Sequence, residues 1–129
     1  MLMSIFSYAG TTPPAAVLDA FKTKFPNATE VKWGMENKTE YEAEFTLDGK
    51  KISANFKTDG SWVETETGVA QKDLPAGVMD YINKNYAGAK VNETAKIEMP
   101  DKTVYEVEVK GKSVLFDLSG KFLSESKED

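Results

Sequence analysis

The feature that most constrains this chain is an internal repetition. Pro14-Ala15-Ala16-Val17-Leu18-Asp19-Ala20-Phe21 lines up with Pro75-Ala76-Gly77-Val78-Met79-Asp80-Tyr81-Ile82. Val17, Phe21 and Phe25 recur every fourth residue, as do Val78, Ile82 and Tyr86, so each segment carries one apolar helical stripe. Proline at the start of each costs no helical hydrogen bond, and Pro26 and Gly88 end them. Two short amphipathic helices are predicted, each with one face to bury.

Strands follow each helix. Tyr41-Glu42-Ala43-Glu44-Phe45 alternates apolar and acidic residues, and so does Tyr105-Glu106-Val107-Glu108-Val109. Asp48-Gly49 suits a two-residue turn whose central residues both need positive φ. Pairing across it sets Phe45 opposite Ile52, Ala43 opposite Ala54 and Tyr41 opposite Phe56. Glu42, Glu44, Ser53 and Asn55 then share the other face. The second copy turns at Lys110-Gly111, setting Val107 against Val114, Tyr105 against Phe116 and Glu106 against Leu115. One earlier strand precedes each hairpin, around Val31-Lys32-Trp33 and Lys96-Ile97-Glu98-Met99; Trp33 is assigned to the core.

The last hairpin of each copy contains a shared pattern, FKTDGSW at 56–62 and FDLSGKF at 116–122. With Asp59-Gly60 as a two-residue turn, Lys57 pairs with Trp62 and Phe56 with Val63. Trp62 would then leave the core face and stand among the glutamates. Ser119-Gly120 treated alike puts Leu123 inward and Phe122 outward. A slip of one residue would reverse both assignments.

The economical way to bury two helical stripes and eight half-apolar strands is an α+β fold. It has two tandem α-β-β-β-β repeats, an antiparallel sheet of about eight strands and both helices on one face. The other face is expected to be open to solvent. The first repeat covers 13–67, the joint 68–73 and the second repeat 74–126. Residues 1–12 are expected to form an N-terminal segment and 127–129 a tail, the whole making one compact domain, with the polar stretch Ser124 to Asp129 expected to fray.

Composition narrows the chemistry. The chain of 129 residues has a net charge of −5 and neither Cys, His nor Arg. An acidic surface disfavours nucleic acid and anionic membranes. The missing residue types remove thiol nucleophiles, Ser-His triads and zinc sites built on His or Cys. The expectation is therefore no enzyme, no cofactor and no metal site. No stretch approaches the roughly 18 apolar residues of a membrane span. Met1 to Phe6 is apolar, and Ser7-Tyr8-Ala9 places small residues as in a signal-peptide cleavage site. The segment reads either as the tail of an export signal or as a short apolar stretch.

Phe25-Pro26-Asn27-Ala28, Val31 to Trp33, Tyr-x-Ala-x-Phe at 41–45 and Phe-x-x-Asp-Gly-x-Trp at 56–62 together resemble the PepSY-like family, which is also described as beta-lactamase-inhibitor-like. The likeness runs from about Pro13 to Glu125, and its motifs mark core and turn positions. It implies an exported, periplasmic bacterial protein that binds or restrains another protein, a peptidase or another envelope component. The fold alone transfers no specific inhibitory loop.

The expected partner surface is the open sheet face: Trp62, Phe122 and Leu115 with Glu42, Glu44, Glu106, Glu108, Asn55 and Lys57. Exposed aromatics are enriched where partners dock. They also pack as cross-strand pairs or against lysine stems, and charged residues commonly line a solvated strand face. The alternative function is a small-ligand or cation-binding periplasmic protein using the same carboxylates, although no EF-hand spacing is present.

Overall fold

Helix α1 spans Ala15–Lys24 and α2 spans Ala76–Asn85. Each buries two residues one turn apart, Val17 with Phe21 and Val78 with Ile82. Lys22, Lys24 and Lys84 lie in the last turns, where the helix dipole favours cations. The computed structural model of the chain describes residues 12–128, so the export-signal expectation for residues 1–9 lies outside them. No described helix is long and apolar enough to cross a membrane.

Eight strands form an antiparallel sheet in chain order, giving the expected α+β architecture. They are β1 (Thr29–Asn37), β2 (Glu40–Leu47), β3 (Lys50–Lys57), β4 (Trp62–Gly68), β5 (Val91–Glu98), β6 (Thr103–Val109), β7 (Lys112–Phe116) and β8 (Phe122–Lys127). Among the described residues, 12–67 and 68–128 are two compact units, each with one helix. The joint between them carries a short 3-10 turn at Gln71–Asp73. One expectation is corrected here: Ser124 to Lys127 does not fray but belongs to β8, paired with β7 as far as Lys127. Backbone pairing outweighs the polarity of the side chains.

The first unit's core gathers around Phe21. Its ring meets Trp33 edge-on at 5.2 Å, Phe45 at 5.1 Å and Phe56 at 6.2 Å. Trp33 thus belongs to the core, whereas Val31, on the irregular start of β1, is exposed. In the second unit Leu74, Val78 and Ile82 pack on Val107, Val109, Val114 and Phe116. The middle hairpins have the predicted register: Tyr41 faces Phe56, Ala43 faces Ala54, Tyr105 faces Phe116 and Val107 faces Val114. Asp48, Gly49, Lys110 and Gly111 all take positive φ, between 51° and 79°, as a two-residue turn of this hand requires.

The last hairpins are built differently. Gly60 N donates to Lys57 O at 2.9 Å and Lys57 N to Ser61 O at 2.8 Å, which closes a three-residue loop with Gly60 at φ 91°. Gly120 N to Asp117 O at 3.0 Å and Asp117 N to Lys121 O at 2.9 Å repeat the arrangement, with Gly120 at φ 95°. The longer loop shifts the pairing by one residue, so Phe56 faces Trp62 and Phe116 faces Phe122. A bulge at Val63, and another at Leu123, restores the expected register at Asn55–Glu64 and Leu115–Ser124.

Candidate functional site

The register shift moves both aromatics to the helix side, correcting the expectation that they stand on the open face. Residues directly opposite in an antiparallel pair share a face, so Trp62 follows Phe56 inward and packs on the first unit's core. Its indole Nε1 donates to Thr65 Oγ1 at 2.9 Å, and Lys24 Nζ lies 3.8 Å from the ring centroid as a cation–π cap. Phe122 stacks on Tyr81 of α2, with centroids 4.6 Å apart and planes 11° from parallel, and keeps 37% of its surface exposed.

Asp59 and Asp117 hold the two loops in shape. Asp59 Oδ1 accepts the Ser61 N–H at 2.9 Å, and Asp117 Oδ1 accepts those of Ser119 and Lys121, both at 2.9 Å. Hydrogen bonds from Ser61 hold the Asp59 carboxyl below its ordinary range, and those from Ser119 and Lys121 do the same for Asp117.

On the face away from the helices, the register lays the predicted polar residues in rows. In the first unit Gly34, Glu42, Asn55 and Glu64 form one row, and Lys32, Glu44, Ser53 and Glu66 the next. In the second unit Ala95, Glu106, Leu115 and Ser124 form one, and Glu93, Glu108, Ser113 and Ser126 another. A second expectation is corrected here. Glu42, Asn55, Glu106 and Glu108 are buried, not solvated. All four sit on inner strands, Glu42 on β2, Asn55 on β3, and Glu106 and Glu108 on β6. Glu44 and Leu115 are half-buried, and Lys57 is exposed beside Glu40.

Burial of this kind has electrostatic consequences. Loss of solvent, reinforced by the charges of Glu36, Glu40 and Glu42, pushes the Glu64 carboxyl up to about 7. Burial, a hydrogen bond with Glu128 and the charge of Glu93 push Glu108 up to about 8. Glu106 is reached by the Ser113 hydroxyl, which donates to Oε2. Among the described residues, Asn55 Nδ2 and Glu36 Oε1 are buried with no hydrogen-bond partner, a situation that costs roughly 1–3 kcal/mol for a neutral donor. Among the described residues, no group of three or more acidic side chains is arranged to hold a metal ion.

The alternation Trp62-Val63-Glu64-Thr65-Glu66 was the available signal for Glu64, since every second residue shares a face. Sequence reading passed over Glu64, and with it Glu36 and Glu40. These three carboxyls are grouped by the tertiary fold, with Glu36 at an irregularity of β1 and Glu40 at the start of β2.

The same architecture occurs in solved structures. A BLIP-like protein from Bacteroides fragilis is 29% identical, with a TM-score of 0.77 over 92% of this chain and 89% of that one. A DUF2874 family protein from Bacteroides ovatus is 25% identical, with a TM-score of 0.80 over 92% and 89% of the two chains. A protein from Bacteroides eggerthii described as a "putative periplasmic" protein shares the fold at 21% identity, with a TM-score of 0.79 over 91% and 90%. No curated protein matches the chain. Residues 39–124, well over half the chain, match the family described as "Putative beta-lactamase-inhibitor-like, PepSY-like". Matched by that family over 39–124, this chain belongs to the PepSY-like family.

Proposed function

We propose that the chain is an exported, non-catalytic binding module that restrains another protein through the carboxylate face of its sheet. The observation that carries this reading is the concentration of glutamates on the side away from the helices, Glu42, Glu44, Glu64 and Glu66 in adjacent rows of the first unit. Four carboxylates against the single cation Lys32 in these two rows favour a partner surface of opposite charge. The family's inhibitor-like description and the BLIP-like relative from Bacteroides fragilis support a binding role of this class. The export reading rests on Ser7-Tyr8-Ala9, and the Bacteroides eggerthii protein of the same fold is itself described as periplasmic. Glu44, Leu115 and Lys57 are the partner-contacting residues retained from the sequence reading. Trp62 is reassigned to packing.

The test is capture from an envelope extract of the source organism by the immobilised chain, compared with a Glu40→Lys/Glu44→Lys variant of unchanged melting temperature. A protein retained by the wild type and lost by the variant supports the reading. Equal recovery by both overturns it.

A further inference from the structure

Among the described residues the sheet ends in two edge strands, β1 and β8, and they are built differently. Pairing of β1 with β2 is interrupted between Thr29 and Lys32 and again between Met35 and Asn37, and Glu30 takes a φ of 54°. Interruptions of this kind keep an edge from accepting another strand. β8 has one bulge, at Leu123, and then runs in unbroken register with β7 from Ser124 to Lys127. All six of its residues are exposed.

The hydrogen bonds show which backbone groups this edge offers. Glu128 N donates to Gly111 O at 2.8 Å, so Glu128 turns its backbone towards the β7 side. Backbone direction alternates along a strand, so Ser126 and Ser124 also turn inward. Glu125 and Lys127 point their N–H and C=O groups out of the edge. A further strand meets β8 through those two residues.

Their charges select the occupant. In a two-fold pairing of β8 with its own copy the strands run antiparallel. Setting Glu125 against Glu125, or Lys127 against Lys127, opposes like charges. The register between those two sets Glu125 opposite the second copy's Lys127, and Lys127 opposite its Glu125, with Ser126 facing itself on the axis. Sliding on until Lys127 meets Lys121 opposes like charges again. The inner side of β8 favours the same register. Lys112 Nζ lies 3.0 Å from Glu125 Oε2 and the Tyr86 hydroxyl donates to Oε1, which holds the carboxylate in place with room for another donor. Lys127 stands opposite Lys112, a like charge that an acid from beyond the edge offsets.

We infer that β8 is the contact edge between two copies of the chain, paired antiparallel about Ser126. The inference is independent of the carboxylate face and stands whether or not that face binds a partner.

Sedimentation equilibrium of the full chain tests it. The wild type is expected to dimerise reversibly, and Lys127→Glu to weaken the dimer by about tenfold at an unchanged melting temperature. The chain has no cysteine, so single substitutions report the register. On the axis the two Ser126 Cα atoms lie about 4.5 Å apart, as in a pair without backbone bonds between its members, which a disulfide can bridge. The two Ser124 positions lie roughly 13 Å apart along the strands, out of reach. Mild oxidation is expected to trap Ser126→Cys as a dimer and to leave Ser124→Cys uncrosslinked. A chain that stays monomeric at its highest soluble concentration, a dimer indifferent to Lys127→Glu, or equal crosslinking at both positions overturns the inference.

Discussion

Gly60 packs so closely on the start of α1 that a Cβ there would lie 2.7 Å from the Ala16 carbonyl oxygen. Gly120 does the same in the second unit, where a Cβ would lie 2.9 Å from Pro75 Cβ. The same turn thus occurs twice because the same docking occurs twice: a hairpin tip meets the first turn of a helix, and only glycine leaves room. Gly60→Ala meets both a left-handed φ of 91° and backbone it cannot displace. It should cost about 2–5 kcal/mol. Gly49→Ala, at φ 79° with open space around it, should cost only about 1–2 kcal/mol. Urea unfolding of the two variants checks the difference; equal losses would mean that the contact with Ala16 contributes nothing.

Trp62 is predicted to be a stability residue. Trp62→Ala removes a ring packed on the first core and its hydrogen bond to Thr65, and should destabilise by about 2–4 kcal/mol. Phe122→Ala, at a more exposed ring, should cost about 1–2 kcal/mol. Lys24→Ala removes the cation over Trp62 and should cost about 0.5–1 kcal/mol. A double-mutant cycle of Lys24 and Trp62 by chemical denaturation measures their coupling, and additive losses would argue against the cation–π contact.

Stability should fall as pH rises from mildly acidic to mildly alkaline. Glu64 and Glu108 have folded pKa values of about 7 and about 8, raised from an ordinary 4.5. The folded state therefore holds protons that the unfolded state has released, and the penalty grows between about 4.5 and 8. Below that window both states are protonated and no penalty applies. Glu64→Gln should remove its share, flattening the melting-temperature profile up to about 7 and stabilising the chain by roughly 1–2 kcal/mol above it, after solvent screening. A variant whose profile runs parallel to the wild type would show that Glu64 ionises normally.

Ser113 supports a buried carboxyl group in the second unit. Glu106 is 1% exposed, and the Ser113 hydroxyl donates to it. Ser113→Ala deletes that donor and should cost about 1–3 kcal/mol, more than an alanine at exposed Ser124 on the same face. Replacing Glu106 by Gln in the Ser113→Ala background should recover part of the loss, because an uncharged amide tolerates burial better. Calorimetric melts of the three variants decide it.

The central hairpins were legible in sequence because their turns leave one solution. Asp48-Gly49 and Lys110-Gly111 both supply the two positive φ values that a two-residue turn demands, and strict alternation of Tyr41, Ala43 and Phe45 then fixes which face is apolar. The carboxylate rows were legible as rows for the same reason. Their burial was not, since alternation reports which side a residue takes and says nothing of how crowded that side becomes.

By itself the sequence determined the two helices, the eight strands and the family, since each depends on a local period or a turn that neighbouring residues enforce. Tertiary structure alone decided where Trp62 and Phe122 go. Asp59-Gly60 fits either a two-residue turn or the tip of a three-residue loop. The helix start at Ala16, the room beneath Lys24 and the bulge at Val63 select the second. The grouping of Glu36 and Glu40 with Glu64 was decided at the same level. Four strands, β1 to β4, must pair before Glu36 and Glu40 act on Glu64, and the charge each one feels is a property of that arrangement.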